Sequence, residues 1–410
     1  MSTHILITSF GPINEVSIRL TKVTIFIGKQ SSGKSTIAKV ISYCKWLEKR
    51  YFINKDEPQN IDDTFIKFHR IDRCYFSTDT YIKYESDALI IEITHGDEFP
   101  TFTRKNRLSY QKSKNIYIPS ERNFISTIPN LKKYKEANDN IMSFIFDWYT
   151  AKNQFSSEND ILHLGVSYQY DKKQDQDILT ITNSGKEKTL PLGVASSGFQ
   201  SVIPLVVVFE YLAKTMYKDT EEVSIEELQS VNNELLAYKN LMNTYSLEKN
   251  KNLQGEELHK LQQEILAKFK SIQDITNYQY TSFIIEEPEQ NLFPVTQRDL
   301  IYYLLKLIQE SEHDHELLIT THSPYILNSL NNCMMGFLIS TNPELDVSEF
   351  PSYGSWIAPE NVSLWQIEDG SLIDLSDPDT GLLKNNDFND AMNIITHENL
   401  DMMDYFSYEA

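Results

Sequence analysis

Residues 28–36, Gly28-Lys29-Gln30-Ser31-Ser32-Gly33-Lys34-Ser35-Thr36, follow a short apolar run (23–27) and precede apolar positions at helical spacing: Ile37, Val40, Ile41 and Leu47. A glycine-bearing loop between a strand and a helix turns successive backbone N–H groups inward. The positive end of the helix adds to them, so phosphate oxygens are the ligands such a loop suits. The Lys34 ammonium is expected to bridge β- and γ-phosphates, and the Ser35 hydroxyl to ligate Mg²⁺. ATP and Mg²⁺ are the expected cofactors.

Two further segments carry groups that could act on a bound phosphate. Ser282-Phe-Ile-Ile is an apolar strand ending in Glu286-Glu287-Pro288-Glu289. An acidic pair at a strand end is also how a solvated turn looks; beside a phosphate loop it points to chemistry. Glu286 is assigned to the metal shell and Glu287 to polarising the attacking water. The other segment, Glu316-Leu-Leu-Ile-Thr-Thr321-His322-Ser323-Pro324, follows after one helical stretch (296–309). Parallel-sheet logic therefore brings His322 to the same sheet edge, where a neutral imidazole can hydrogen-bond a γ-phosphate. Glu287 and His322 are the candidate catalytic residues.

A fourth segment, Val194-Ala195-Ser196-Ser197-Gly198, opens an apolar helix over 202–212. Small residues at a helix N-terminus suit an anion, and they are equally plain capping.

These loops need a sheet to bring them together. The chain opens with alternating apolar runs (4–8 and 16–20) about a Phe10-Gly11-Pro12 turn, which predicts an antiparallel hairpin leading into the buried strand 23–27. Further β-like runs lie at 88–93, 116–118 and 178–181, in an order the sequence leaves open. Residues 221–275 hold no proline and carry two helical stripes, Leu228-Val231-Leu235-Tyr238-Met242 and Leu258-Leu261-Ile265-Phe269-Ile272, about a polar break at 249–252. They predict a two-helix hairpin that either projects from the body or lies flat on it. After residue 364 the chain turns acidic, with a strand–turn–strand at 365–374 and a helix over about 387–396.

The fold class expected is α/β: a mixed or parallel sheet flanked by helices, an antiparallel β subdomain, and the helical hairpin. With 410 residues, 40% apolar content and a formal charge of −20, a sizeable core is affordable and nucleic acid is repelled except at local basic patches. Such patches are candidates at Arg104-Lys105-Asn-Arg107, Lys112-Ser-Lys114 and Lys132-Lys133-Tyr-Lys135, each also readable as a solvated loop. Cys44, Cys74 and Cys333 are too scattered for a zinc site or a disulfide frame. The N-terminus lacks the pattern of a signal peptide, and the most apolar run (202–212, with Glu210 inside it) falls short of a membrane span. A cytoplasmic protein with no membrane contact is expected.

In this order the four segments resemble the ABC-type P-loop ATPase superfamily, and within it the SMC/RecF/OLD-like branch. The superfamily's Leu-Ser-Gly-Gly signature corresponds to Ala195-Ser196-Ser197-Gly198, the branch's Glu-Glu-Pro-Glu to 286–289, and its Thr-His-Ser-Pro to 321–324. Phe10-Gly-Pro-Ile, Ile116-Tyr-Ile-Pro-Ser-Glu-Arg122 and Asn291-Leu-Phe-Pro294 look similar to stand-alone ATPases of bacterial anti-phage systems such as PtuA and AriA. The resemblance, which spans most of residues 1–330, implies a head formed by 1–220 and 276–410, with 221–275 inserted as the hairpin. It also implies a homodimer or higher homo-oligomer, in which Ser196 and Gly198 of one subunit close over ATP held by residues 28–36 of another. Glu286 stands where transporters and SMC heads usually carry Asp, and Phe293 where an aspartate often follows the acidic motif. The glutamine that usually links nucleotide to the lobes has no evident counterpart; Glu121-Arg122 is a candidate for that neighbourhood, or an ordinary surface ion pair.

A transporter subunit is disfavoured because the hairpin separates signature from acidic strand. Related OLD proteins carry a nuclease domain after the switch histidine, for which the 88 residues after His322 (410 minus 322) are too few. The expectation is an ATPase acting as sensor or regulatory subunit for a separate effector, a nuclease or toxin, in phage defence. The alternative is a RecF- or SMC-like DNA-binding ATPase of repair or maintenance.

Overall fold

The computed structural model describes residues 3–53, 59–128, 139–183, 185–218, 225–249, 256–342, 345–384 and 386–408. Strands β1 (Thr3–Phe10) and β2 (Ile13–Leu20) pair antiparallel about Gly11, and β3 (Val23–Gly28) is buried at every position. Helix α1 (Lys34–Ile53) follows the glycine loop. Strands β4 (Phe76–Glu85), β5 (Leu89–Thr94) and β6 (Thr101–Arg104) join β1 and β2 in a five-stranded antiparallel sheet ordered β2-β1-β4-β5-β6. Next come β7 (Ser113–Ile118), α2 (Phe124–Thr127) and α3 (Asn140–Lys152). Strands β8 (Asn159–Asp160), β9 (Val166–Asp171), β10 (Gln176–Asn183) and β11 (Lys186–Pro191) form a four-stranded antiparallel sheet, which α4 (Ser197–Glu210) follows.

Helices α5 (Ile225–Lys249) and α6 (Glu256–Thr276) then pair with each other. The Tyr238–Phe269 ring contact (6.3 Å) and the Gln262–Tyr245 hydrogen bond (3.3 Å) fix them as antiparallel. Helix α6 also packs on α1, while Leu235, Leu236, Leu266 and Phe269 remain about half exposed. Of the two predicted stripes, Leu228 and Leu258 lie outside the residues whose side chains are described. The remaining elements are β12 (Tyr280–Glu286), α7 (Pro294–Glu310), β13 (Glu316–Thr321), α8 (Pro324–Ser340), β14 (Val362–Glu368), β15 (Ser371–Asp374) and α9 (Asp387–Tyr408).

The central sheet runs β15-β14-β3-β13-β12-β7; five strands are parallel and β15 is an antiparallel edge. Alternate residues of its strands enter two different cores. Val23, Ile25, Phe283, Ile285, Leu317 and Ile319 face the helical side with α3, α4, α7 and α8. Phe26, Ile284, Leu318 and Ile367 face α1 and the five-stranded sheet. Burial on both faces explains why these strands read as continuous apolar runs. The architecture is thus α/β, with a mixed sheet flanked by helices and an antiparallel β subdomain.

Two expectations are corrected. The apolar helix is longer than the run 202–212. With its continuation it spans Ser197–Lys218, long and apolar enough by length and composition to cross a membrane, yet residues 201–209 are all buried in the core. Helix α9 runs well past residue 396, to Tyr408.

Candidate nucleotide site

Parallel pairing sets the edge of the sheet. Thr321 is registered with Ile27, Thr320 with Glu286, and Ile118 with Ile285, so four strand ends open at one level. The loop after β3 folds tightly there. Gly33 has φ +108°, and a Cβ on it would lie 2.4 Å from the Ile13 side chain, so no other residue fits without rearrangement. The Lys34 ammonium reaches back across the loop and donates to the Gly28 and Lys29 carbonyls, both at 2.8 Å. Burial lowers its pKa to about 8, against the opposing pull of Glu287 and Glu289.

A cleft of about 490 Å³ brings together Gln30, Ser31, Ser32, Gly33, Lys34, Ser35, Thr36, Glu287 and His322, with Pro12, Tyr75 and Thr320 completing its wall. Glu287 holds a left-handed backbone (φ 43°), an uncommon and costly conformation for a residue with a side chain. Its N–H donates to the Thr320 carbonyl at 2.8 Å, and its carboxylate lies 3.8 Å from His322 Nε2. The His322 N–H donates to Glu289 Oε1 at 2.7 Å, and the Ser323 hydroxyl caps α8 and donates to Gln297. Burial and then Lys34 lower the His322 pKa against the pull of Glu287, which keeps the imidazole neutral at neutral pH. Burial also raises the Glu289 carboxyl.

Some predicted site residues lie elsewhere. Gly28, Lys29 and Glu286 do not line the cleft; Glu286 is buried beneath it, where its charge adds to burial in raising the Tyr117 phenol. Ser196 and Gly198 are likewise outside it. Ser196 is the exposed N-cap residue of α4, with no side-chain capping bond, and Gly198 sits so close to Asn291 that a Cβ would come within 2.9 Å of its carbonyl oxygen.

Arg122 departs from the sequence reading. Glu121 and Arg122 are not a surface ion pair: Glu121 faces Arg70 at 3.7 Å, while Arg122 is 1% exposed. Its guanidinium donates to the carbonyls of Glu286 (2.8 Å), Glu287 (2.7 Å), Pro288 and Pro119 (3.3 Å each) and Ser201 (3.1 Å). Burial lowers its pKa to about 10. One side chain thus holds the acidic turn against the exit of β7 and the first turns of α4, and a planar fork is the group that can do so. Arg122→Met should orphan these carbonyls and cost about 3 kcal/mol or more. Urea unfolding checks this, and Arg122→Lys should recover little of the loss.

One of the candidate basic patches is occupied internally, and one lysine of a second is paired. Lys112 is buried over the Tyr278 ring (4.2 Å), Lys114 pairs with Asp147 (2.6 Å), and Lys105 pairs with Glu85 (3.0 Å). Lys132, Lys133 and Lys135 lie outside the described residues. Tyr75 and Pro12, which the sequence reading missed, close the cleft. Tyr75 is brought there by the bond from the Gly11 N–H to its carbonyl (2.8 Å), a contact with no local sequence signal.

The residues suit a magnesium ion. The exposed Ser35 hydroxyl and the Glu287 carboxylate share the cleft, and among the described residues no cluster of three His, Cys, Asp or Glu is present. Hard oxygen donors in small number fit an ion held mainly by phosphate and water.

No protein-family model matches the chain, and no curated protein matches it. Among solved structures it is similar to an SMC head domain from Thermotoga maritima, at 10% identity over 92% of this chain and 99% of that one (TM-score 0.38). It is similar to an Smc head domain with an extended coiled coil, bound to the C-terminal domain of ScpA, from Pyrococcus furiosus: 10% identity over 97% and 99% of the two chains, TM-score 0.37. A third is the recombination mediator protein RecF with ATP in the RecFOR pathway, at 12% identity over 92% and 99%, TM-score 0.33.

Proposed function

We propose that the chain is an ABC-type ATPase of the SMC/RecF-like branch, cytoplasmic, whose two sites are each shared between two copies. The observation that carries this reading is the convergence of Lys34, Glu287 and His322 on one cleft at the ends of adjacent parallel strands. In it, Lys34 and the loop N–H groups hold the phosphates, Glu287 takes the proton of the attacking water, and neutral His322 donates toward the γ-phosphate. Ser35 would hold Mg²⁺ in the cleft, with the phosphates and water supplying most of its shell, whereas Glu286, expected as a ligand, is buried beneath the cleft; the ion would neutralise charge developing on the phosphoryl oxygens. The motif resemblance to stand-alone anti-phage ATPases supports a sensor or regulatory role toward a separate effector.

Ser196 and Gly198 lie outside their own chain's cleft, which favours a role in a partner's. Gly198 is a poor place to test this, because any side chain there strikes Asn291. Ser196→Glu is cleaner: the residue is exposed and makes no capping bond, while a carboxylate there would oppose the partner's γ-phosphate. Ser196→Glu and Lys34→Ala proteins should each lose turnover. Mixed in equal amounts, about half the dimers pair one of each, and each such dimer holds one intact composite site. Turnover should therefore return to about a quarter of the wild-type value. A mixture no more active than its components would sink the shared-site reading. Tight binding to bare duplex DNA with steep salt dependence would instead favour the repair reading.

A further inference from the structure

The backbone ladder between β12 and β13 stops one bond short at the cleft. The Glu287 N–H donates to the Thr320 carbonyl at 2.8 Å. In a regular parallel ladder the residue that donates there also accepts the next N–H along the neighbouring strand, here that of His322. Glu287 does not accept it. Its left-handed backbone (φ 43°) turns the carbonyl into the acidic turn, where the Gln290 N–H donates to it at 3.1 Å and the Arg122 guanidinium at 2.7 Å. Both lone pairs of that oxygen are thereby taken. The His322 N–H goes instead to the Glu289 carboxylate, to which it donates at 2.7 Å.

A side chain thus stands in for a main-chain acceptor at the residue that carries the imidazole. The chain on either side of His322 is held by other means. Thr321 is in register with Ile27 of β3, the Ser323 N–H donates to Thr321 Oγ1 at 2.9 Å, and the Ser323 hydroxyl caps α8. A bond from an N–H to a carboxylate is among the stronger kinds, so it can set where His322 sits. Glu289 does not line the cleft, whereas His322 and Glu287 do. Its route to the chemistry is therefore through the residue it holds. We propose that Glu289 is a positioning residue: its carboxylate replaces the Glu287 carbonyl on the His322 N–H, which frees Glu287 for the left-handed turn and still fixes the imidazole 3.8 Å from the Glu287 carboxylate. The inference rests on the nucleotide reading of the cleft.

Variants of the full chain test it, by ATP turnover at saturating ATP and by calorimetric ATP affinity. Glu289→Met keeps the length of the side chain and removes the acceptor. Its kcat should fall at least about tenfold, as a misplaced group in such a site does, with ATP affinity within about twofold of wild type. Glu289→Gln keeps a carbonyl oxygen for the N–H and should retain at least about a third of the wild-type kcat. In a His322→Ala background Glu289→Met should cost less than about a further twofold, because the group it positions is already gone. A general structural role would lower turnover by the same factor in both backgrounds. The proposal is overturned if Glu289→Met keeps the wild-type kcat, or if the losses from Glu289→Met and His322→Ala multiply. It is equally overturned if Glu289→Gln is as damaged as Glu289→Met, which would make Glu289 itself the proton acceptor. Should Glu289→Met fail to fold, Glu289→Gln still decides: a kcat near wild type upholds the proposal and a loss of about tenfold or more overturns it. A wild-type chain without ATP turnover would instead remove the nucleotide reading, and this inference with it.

Discussion

Lys34→Ala should weaken ATP binding by at least about a hundredfold while leaving the fold intact. The ammonium is the cation at the centre of the glycine loop, 6% exposed, and its present partners are two neutral carbonyls and, at 3.5 Å, the Ser32 hydroxyl. Phosphate oxygens would replace those weak partners with charge-assisted bonds in a poorly solvated cleft, where such bonds are strongest. Losing them is worth about 3 kcal/mol or more, hence the factor. Calorimetry measures it directly, and near-wild-type affinity would rule out the loop as the phosphate site. A second readout comes from the cation's lowered pKa of about 8. The charged form is dominant below that value and is lost above it, so wild-type affinity should decline as pH rises through 8, whereas the residual binding of Lys34→Ala should show no such decline.

Glu287→Gln should bind ATP as the wild type does and hydrolyse it at least about a hundredfold more slowly. Glutamine keeps the shape of the side chain and its place in the strained turn, so the cleft survives; only the ability to accept a proton goes. The left-handed backbone of Glu287 and its bond to Thr320 fix the carboxylate in the cleft beside His322. With hydrolysis blocked, the ATP-closed pair of subunits should accumulate and be visible by light scattering. Unchanged steady-state turnover would move the base to another residue, with Glu289 next in line.

The parts of this molecule legible in its sequence are those governed by period and by local turn chemistry. The apolar runs that became β3, β12 and β13 are continuous because helices or a second sheet cover both faces, and a glycine loop between strand and helix has few other uses. What stayed hidden depends on distant backbone. Arg122 looks like half of an exposed pair beside Glu121, since nothing in a sequence says that five carbonyls from three segments will surround it. Lys112 and Lys114 read as a basic loop because their partners, Tyr278 and Asp147, lie far along the chain. Tyr75 reached the cleft through a backbone bond to Gly11 that any residue could have made. Residues 30–36, Glu287 and His322 were legible in the cleft; Tyr75 and the Arg122 scaffold behind it were not.

Only three residues, Asn277, Tyr278 and Gln279, join the end of α6 to β12. They are gripped on both sides: the Gln279 N–H donates to the Lys112 carbonyl at 2.9 Å, its own carbonyl meets His313 Nδ1 at 2.9 Å, and Lys112 lies over Tyr278. From there β12 runs seven residues, about 23 Å, to Glu286, locked in register between β7 and β13. A strand in a parallel ladder cannot slip by one residue without turning Glu286 to the other face of the sheet. Force applied along α6, some 30 Å long, therefore has no sliding motion to dissipate into. The two elements make a crank with a fixed pivot. A tilt of about ten degrees at that pivot would sweep the far end of α6 through about 5 Å.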